Sequence, residues 1–536
     1  MRRQNFFLVC AALLGAGVIA GAQTSSPPLK QAAYLKASNA KMGDHFGNGG
    51  TLEGHGVAIS GDGSTLAVGA PFESSAAKGI NGNQNDNSLY SSGAVYVFIN
   101  RNNTWSQQAY IKASNPGQSD KFGYVVSLSQ DGNTLAVSAV WEPSAAKGIN
   151  GDQNDNSIPQ AGAVYVFTRN GTTWSQQAYI KASNTGEAGV GDQFGDGDEF
   201  GFSIGLSADG NTLAVGAIAE DSGARGINGD QNDNSQLGSG AVYVFTRSGT
   251  TWSQQAYVKA SNTDAADLFG YSVGLSADGN TLAASAYDED GSSREINGVQ
   301  DKGRRGSGAI YVFTRSGTTW SQQAYLKASN AENGDSLGYA IAISQDGNTI
   351  AGGAADEDCM MPGVFPPSPV VCDKDQPMDN SSGAVYIFVR NGTTWTEQAF
   401  IKASNPGKED WFGSRLTISG DGNTLAVGAQ VENGSARVIN GKPDDAAEDA
   451  GAVYFFTRTG TTWVQKAYVK ASNADAYDEF GSAMALSKDG KLMAVGARGE
   501  SSAAKGINGD QNDNSAQGAG AVYIFTYQKA LSITGR

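Results

Sequence analysis

The chain has 536 residues, of which 72 are glycine and 17% are charged, and its formal net charge is −16. A chain this acidic repels nucleic acid and anionic lipid, so neither is expected as a partner. The composition is that of an ordinary soluble β protein and not of a disordered chain. The length would allow several domains, but internal repeats fill almost all of it.

Residues 1–22 have the three parts of a secretory signal. Arg2 and Arg3 form the basic start, residues 6–19 the apolar stretch, and the small residues ending at Ala22 the cleavage site. The apolar stretch is short for a membrane span, and no later segment offers one. The sequence therefore predicts an exported protein that is cleaved after Ala22 and is secreted, periplasmic or on the cell surface, without a transmembrane segment.

One six-residue string, GAVYVF or a close variant, occurs seven times. The copies start at Gly93, Gly162, Gly240, Gly308, Gly383, Gly451 and Gly520, which is an interval of 68 to 78 residues. A regular period of this length indicates supersecondary units that bury their apolar faces against their neighbours.

The second repeat shows how each unit is built. The runs YVVSLS and TLAVSA are separated by Asp131-Gly132-Asn133, a strong hairpin signal. GAVYVF is the third strand, Asn170-Gly171 marks the next turn, and the fourth strand lies around residues 174–181. No segment has a helical period. Each repeat therefore predicts four antiparallel strands, and seven such units predict an all-β, seven-bladed β-propeller.

The two ends of the repeat array predict how the ring closes. The first copy begins with an isolated AAYLKAS at Ala32, and the last copy stops just after the string at Gly520. We therefore expect the N-terminal strand to complete the last blade and so to close the ring. The predicted organisation is a signal peptide (1–22), a short linker (23–31), the propeller (32–528) and a C-terminal tail (529–536).

A Phe-Gly pair and a Gly-Ala-Pro element mark the repeats. The pairs are Phe122-Gly123, Phe200-Gly201, Phe269-Gly270, Phe412-Gly413 and Phe480-Gly481, with Leu337-Gly338 in the fifth copy and Gly69-Ala70-Pro71 as the complete second element. This pattern resembles the FG-GAP repeats of the integrin α-subunit propeller and its bacterial relatives. The resemblance implies an exported, non-enzymatic and monomeric binding module with a protein or glycan ligand and an adhesion-like role. The DxDxDG calcium loop of integrin-like propellers is absent from the sequence.

Two carboxylates recur in every copy. The first is an aspartate two residues before Phe-Gly, at Asp44, Asp120, Asp198, Asp267, Asp335, Asp410 and Asp478. The second is a glutamate three residues after Gly-Ala, at Glu73, Glu142, Glu220, Glu289, Glu357, Glu432 and Glu500. The aspartate is interpreted as a turn cap that accepts backbone N–H bonds. For the glutamate, a structural role and a ligand role are both open.

A polar loop, GINGDQNDNS, follows the glutamate in several copies. In the second copy Asp152, Asn154 and Asn156 stand at positions one, three and five, the spacing at which calcium loops supply oxygen ligands. The equivalents are Asp230, Asn232, Asn234, Asp510, Asn512 and Asn514. The sequence predicts calcium sites completed by Glu142 (or by Asp155 of the same loop), Glu220 and Glu500. The alternative is a loop ordered by its own side chain–backbone bonds.

The third copy carries an additional acidic cluster, Asp192, Asp196, Asp198 and Glu199. It predicts either a second calcium site or a solvated acidic loop. Cys359 and Cys372 are the two cysteines that remain after signal cleavage, and in an exported chain they predict a local disulfide.

Catalytic signatures are absent from the sequence. The two histidines, His45 and His55, do not combine with other residues into a catalytic triad or a zinc signature, and they are interpreted as surface residues. The alternative function is a carbohydrate-active hydrolase or lyase that uses a carboxylate pair on the propeller scaffold.

Overall fold

The computed structural model describes residues 29–48, 55–186, 197–366 and 380–528. The predicted signal, Cys372 and the C-terminal tail lie outside the described residues, as do Asp192 and Asp196 of the acidic cluster. No helix in the described part of the chain is long and apolar enough to cross a membrane.

Seven antiparallel sheets, the blades, form a ring. In chain order the strands are β1 Leu29–Leu35, β2 Val57–Ile59, β3 Thr65–Ala70, β4 Ala94–Arg101, β5 Thr104–Ile111, β6 Phe122–Leu128, β7 Thr134–Ala139, β8 Ala163–Asn170, β9 Thr173–Ile180, β10 Ser203–Leu206, β11 Thr212–Ala217, β12 Ala241–Ser248, β13 Thr251–Val258, β14 Val273–Leu275 and β15 Thr281–Ala286. The remaining strands are β16 Ala309–Ser316, β17 Thr319–Leu326, β18 Leu337–Ile343, β19 Thr349–Ala354, β20 Val364–Phe365, β21 Ala384–Asn391, β22 Thr394–Ile401, β23 Arg415–Ile418, β24 Thr424–Ala429, β25 Ala452–Thr459, β26 Thr462–Val469, β27 Phe480–Leu486, β28 Leu492–Ala497 and β29 Ala521–Tyr527.

Six blades take consecutive strands, and the seventh combines the two ends of the chain. Blade 1 is β2–β5, blade 2 β6–β9, blade 3 β10–β13, blade 4 β14–β17, blade 5 β18–β22, blade 6 β23–β26 and blade 7 β27–β29 with β1. Strand β1 pairs antiparallel with β29, with Tyr34 opposite Tyr523. In blade 5 the short β20 adds a fifth strand beside β22. The fold prediction is therefore confirmed, with four strands in six blades and an extra edge strand in blade 5.

The core lies between the blades. The first strand of each blade contacts the first strands of its neighbours, so these seven strands surround the central axis. Phe122 at the start of β6 packs edge-on against Tyr165 and Phe167 of β8, with ring centroids 5.4 and 6.1 Å apart. Val95 and Val97 of blade 1 belong to the same apolar cluster. Each blade therefore buries its apolar faces against its neighbours, as the repeat period indicates.

The two ends of the blades differ in what connects the strands. One end, which we call the turn face, carries the tight hairpins Asp131–Asn133 and Asn170–Gly171 and their equivalents. The other end, the loop face, carries the Phe-Gly turns and the long polar loops. Gly123 of one Phe-Gly turn has φ +91°, and a Cβ there would lie 2.5 Å from the carbonyl oxygen of Ala94. Only glycine fits this position.

On the turn face an arginine joins neighbouring blades. Arg169 of blade 2 donates from Nε to Asn133 and from its terminal nitrogens to Gln108 and Thr65 of blade 1, at 3.0–3.1 Å. Gln108 also accepts a bond from the indole nitrogen of Trp174 at 3.0 Å. Four further arginines do the same in blades 3 to 6: Arg247, Arg315, Arg390 and Arg458.

The two interfaces that flank blade 7 lack this arginine. Between blades 7 and 1, Asn100 stands where the other blades have arginine, and the positions equivalent to the glutamine and the threonine hold Ala32 and Leu492. Between blades 6 and 7 the position is held by Tyr527, whose ring packs 4.9 Å from that of Phe455. The blade assembled from both ends of the chain is thus held at its turn face by apolar contacts in place of the arginine network.

Candidate functional site

The recurring glutamates are buried structural groups. Glu142 accepts hydrogen bonds from the phenol of Tyr179 at 3.0 Å, from Nζ of Lys181 at 2.9 Å and from the amide side chain of Asn115 at 3.0 Å. Lys181 and Glu142 are both fully buried. Burial lowers the pKa of Lys181, and the Glu142 carboxylate opposes that shift.

The same ion pair occurs in all seven blades. The pairs are Lys36–Glu500, Lys112–Glu73, Lys181–Glu142, Lys259–Glu220, Lys327–Glu289, Lys402–Glu357 and Lys470–Glu432, at 2.6–2.9 Å. The bridging asparagine comes from the preceding blade: Asn115 follows β5 and also accepts from Tyr165 of blade 2 at 2.6 Å. The network therefore fastens each blade to the next.

This geometry separates the predicted calcium ligands. Glu142, Glu220 and Glu500 are buried, whereas Asp152, Asn154 and Asn156 of the loop are exposed. Asp152 accepts the backbone amide of Asn154 at 2.9 Å, and Asp230 and Asp510 accept the amides of Asn232 and Asn512 in the same way. Asn514 donates to Asp475 at 2.8 Å. The glutamates thus have other partners, and calcium binding stays a prediction for the loop oxygens alone.

No group of three or more His, Cys, Asp or Glu side chains that could hold a metal is found within the described ranges. The alternative interpretation is a loop that its own side chain–backbone bonds hold in place, and the bonds described above are of that kind.

The recurring aspartates lie at turns that lead into the inner strands. Asp120 accepts the backbone amide of Gly117 at 2.6 Å, and Asp267 and Asp478 accept equivalent amides at 2.9 Å. All three are buried. Burial raises the pKa of Asp120 and Asp478 to about 7 and that of Asp267 to about 8. This is the geometry that the turn-cap interpretation describes, with a carboxyl group that resists ionisation.

The seven residues that precede the Phe-Gly turns form a ring at the loop face, around the axis. They are His45, Lys121, Glu199, Leu268, Ser336, Trp411 and Glu479. Every one of them has a left-handed backbone, with φ between 50° and 60°. The framework is therefore the same in all blades while the side chain differs in nearly every one. Strained backbone of this kind is uncommon for residues other than glycine and is enriched at functional sites.

A second ring follows the Phe-Gly turns, and the side chains of all its members are buried. Its members in blades 1 to 7 are Asn48, Tyr124, Phe202, Tyr271, Tyr339, Ser414 and Ser482. The four aromatic side chains of blades 2 to 5 are in continuous contact, with ring centroids 5.2–5.9 Å apart. We call the two rings together the axial mouth. The second ring is aromatic on blades 2 to 5, which we call the aromatic wall, and small and polar on blades 6, 7 and 1, which we call the polar wall.

The polar side of the axial mouth contains buried groups without partners. Asn48 Oδ1, Ser414 Oγ and Oε1 of the neighbouring Gln430 are buried, and no described residue forms a hydrogen bond with any of these three atoms. Arg415 is also buried there, and it donates to the backbone carbonyl oxygens of Ser414 and Ser482 at 2.7 and 2.9 Å. An unpaired buried polar group costs about 1–3 kcal/mol, so such groups are rare unless something else satisfies them.

Four aromatic side chains remain partly exposed on the loop face near the axial mouth: Phe72, Trp141, Tyr287 and Trp411. Tyr287 stacks 4.1 Å from Tyr271 of the aromatic wall, and Trp141 donates from its indole nitrogen to Glu199 at 3.1 Å. Glu199 is buried, so it does not belong to the solvated acidic loop that the sequence suggested.

The histidines are not simple surface residues. His45 contacts the carbonyl oxygen of Arg498 through Nδ1 at 3.1 Å and packs edge-on against Phe72. Enclosure in the protein lowers the pKa of His55 to about 4, and the charge of Arg415 adds to this effect.

Cys359 is buried, and Cys372 lies outside the described residues, so their disulfide remains a prediction.

The sequence did not reveal the axial mouth, although it held one signal. The lysine and asparagine of AYIKASN recur in every copy just as the two carboxylates do. Pairing that lysine with the recurring glutamate would have removed the glutamate from the ligand set. The mouth itself consists of positions where the repeats disagree, and a search for repeated residues passes over them.

The match to one protein family agrees with the fold. The FG-GAP repeat family matches residues 105–167, 252–313, 395–456 and 463–525. No curated protein matches the chain. Among solved structures it is similar to a periplasmic gluconolactonase of Pseudomonas aeruginosa, with 13% identity, 84% of this chain and 97% of that chain covered, and a TM-score of 0.44.

Two other solved structures are similar at the same level. One is a Bacteroides uniformis protein provisionally named 6-phosphogluconolactonase, with 10% identity, coverage of 77% and 84%, and a TM-score of 0.42. The other is hydrazine synthase of Kuenenia stuttgartiensis, with 13% identity, coverage of 83% and 92%, and a TM-score of 0.42. Likeness at this level carries no argument about function. The chain is a seven-bladed β-propeller that carries FG-GAP repeats.

Proposed function

We propose that the chain is an exported, non-enzymatic binding module that holds a glycan at the axial mouth. One observation carries the proposal: seven otherwise similar repeats build an aromatic wall on blades 2 to 5 and a polar wall on blades 6, 7 and 1. The residues that form the two walls occupy equivalent backbone positions in the seven blades. The blade fold therefore does not require aromatic residues in some blades and polar residues in others.

A sugar ring matches both walls. Its C–H face packs on aromatic side chains, and its hydroxyl groups donate and accept hydrogen bonds. Trp141, Tyr287 and Trp411 supply partly exposed aromatic faces. Asn48, Ser414 and Gln430 carry buried hydrogen-bonding atoms that have no partner in the described part of the chain. A glycan therefore satisfies the polar wall better than a purely apolar ligand would.

The test is a glycan array followed by calorimetric titration of the glycans that bind. Gln430→Met removes one unpartnered amide oxygen at the mouth, and we expect it to weaken binding about tenfold, or about 1.4 kcal/mol. The matched control is Gln107→Met, because Gln107 Oε1 is also buried without a partner but lies on the outer strand β5. If no glycan binds, or if both variants weaken binding equally, the proposal is wrong.

The alternative of a hydrolase or lyase is tested on the same preparation. The array ligand is incubated with the protein, and reducing ends or unsaturated products are measured over hours. Asp288 and Asp356 are the carboxylates to replace by asparagine, because they stand at the loop face directly before the recurring glutamates of blades 4 and 5. Sustained product release that either substitution abolishes would make the chain an enzyme. Binding without turnover supports the proposal.

A further inference from the structure

Eight lysines are buried in the described part of the chain, and one differs from the rest. Seven of them pair with the recurring glutamates. The eighth, Lys121, is 7% exposed and belongs to the first ring of the axial mouth. Its Nζ lies 3.0 Å from the ring centroid of Trp141 and 5.4 Å from that of Phe72. No acceptor among the described residues forms a hydrogen bond or ion pair with this nitrogen.

The surroundings hold Lys121 in place. Its backbone N–H donates to Ser91 at 3.2 Å and its carbonyl oxygen accepts from Tyr124 at 3.1 Å, which fixes the left-handed turn at φ +56°. Trp141, over whose ring the amine lies, is held by its bond to Glu199. Burial lowers the pKa of Lys121 to about 8, and the charge of Glu199 opposes that shift. At neutral pH the amine is therefore mostly an ammonium with unused donors.

Aromatic faces attract an ammonium but accept no conventional hydrogen bond. An ammonium held against aromatic rings binds a charged acceptor more strongly than it binds a hydroxyl. A carboxylate or sulfate group of a ligand in the mouth supplies both the acceptor oxygens and the opposite charge. None of the other six residues of the first ring is a lysine or an arginine.

We propose that Lys121 anchors the anionic substituent, a carboxylate or a sulfate, of an acidic glycan bound at the axial mouth. This inference rests on the proposed function and specifies its ligand class. Trp141 and Phe72 position the amine. Lys121 thus determines the preference of the site for acidic over neutral glycans.

The experiment compares matched oligosaccharides: uronate oligomers, sulfated oligomers, and the neutral forms of the same backbones, titrated at fixed ionic strength. We expect the parent protein to bind one acidic series at least tenfold more tightly than its neutral form. Lys121→Met keeps an apolar stem between the aromatic rings and removes the charge. It should lose that preference while keeping the binding of neutral forms, and Lys121→Arg should keep most of the preference.

The matched control is Lys147→Met, an exposed lysine on the polar loop of the same blade, and it should bind like the parent. The preference of the parent should fall as the pH rises through about 8, whereas that of Lys121→Arg should not. Thermal melting of each variant checks the fold. Equal binding of acidic and neutral forms by the parent, or an unchanged preference in Lys121→Met, overturns the anchor. Absence of binding to every glycan overturns the proposed function as well.

Discussion

The seven Glu–Lys pairs and the axial mouth are both made from seven equivalent positions, but they differ in what the repeats preserve. In the pairs every blade supplies the same two charges within 2.9 Å of each other. In the mouth every blade supplies the same left-handed backbone and nearly every blade a different side chain. Positions with the same side chain in every blade therefore form the framework of this ring. Positions with the same backbone conformation but different side chains form its candidate site.

The strongest way to break the framework is to remove strand β1. A chain without residues 28–38 loses Tyr34 and Lys36, so Glu500 is left buried without its counter-charge and β29 is left with an open edge. We expect loss of the cooperative thermal transition and aggregation in size-exclusion chromatography. A chain lacking residues 529–536 serves as the control and should melt like the parent. A compact, heat-resistant product of the first deletion would contradict ring closure.

Removing one charge of a single pair should cost less. Glu142→Ala leaves Lys181 buried and unpaired, which costs about 3–5 kcal/mol of the free energy of unfolding. The double variant Glu142→Met with Lys181→Met removes both charges and should recover most of that loss. Urea unfolding followed by tryptophan fluorescence measures both variants. A single variant that loses less than about 1 kcal/mol would show that the pair is not part of the framework.

The buried aspartates predict an unusual pH dependence. The pKa of Asp120 is raised by burial to about 7, above its value in the unfolded chain. Its contribution to stability is therefore complete below about pH 4, falls as the pH rises from about 4 to about 7, and is lost above about 7. Asp120→Asn should stabilise the protein at pH 8, by an amount on the order of 2 kcal/mol, and change little at pH 4. The check is the unfolding midpoint between pH 4 and pH 9.

The opposite sign is expected at Asp131. Burial acts to raise its pKa, but hydrogen bonds from Ser129 and Asn133 outweigh that effect, and its pKa is lowered. Asp131→Asn should therefore lower the free energy of unfolding at pH 8 and leave it unchanged well below pH 4. If the stability of the two variants depended on pH in the same way, the opposite pKa shifts of Asp120 and Asp131 would be refuted.

The turn-face arginines should matter less than the buried pairs, because they are partly exposed. Arg169→Ala removes two hydrogen bonds between blades 1 and 2 and one within blade 2, and we expect a loss of about 1–2 kcal/mol. Asn100→Ala at the equivalent place beside blade 7 should be close to neutral, since Asn100 Oδ1 has no partner. Denaturant unfolding of the two variants gives the comparison, and a larger loss in Asn100→Ala would reverse the interpretation of this interface.

Calcium should have the smallest effect. Without the buried glutamates the exposed loops offer a weak site, so we expect saturating calcium to stabilise the fold by about 1 kcal/mol or less. Melting curves with calcium and with a chelator measure the effect, and Asp152→Ala should reduce it. Coincident curves for the parent at all calcium concentrations would exclude the loop sites.

The sequence determined the framework well because the framework repeats. The Asp131-Gly132-Asn133 hairpin, the four strands of each blade and the pairing of β1 with β29 all follow from local patterns that occur in each copy. The calcium interpretation failed to foresee that Glu142 is buried, because loop spacing says nothing about depth. Lys181, 39 residues along the chain from Glu142, carries the missing information.

The mouth was not predictable for a different reason. Lys121, Glu199 and Trp411 look like unrelated residues in the sequence, because their common feature is a backbone conformation and not a residue type. The division into an aromatic and a polar wall appears only when Tyr124, Phe202 and their equivalents are placed in order around the axis.

The pairing of β1 with β29 also affects how this protein is made. Lys36 and Glu500, whose ion pair completes blade 7, are separated by 464 positions in sequence. The first strand to be synthesised therefore waits for the last one, and contacts of such long range form slowly. The ring cannot finish folding until nearly the whole chain has been synthesised and, if it is exported unfolded, delivered across the membrane. Until then the N-terminal segment needs to be kept from pairing with other chains.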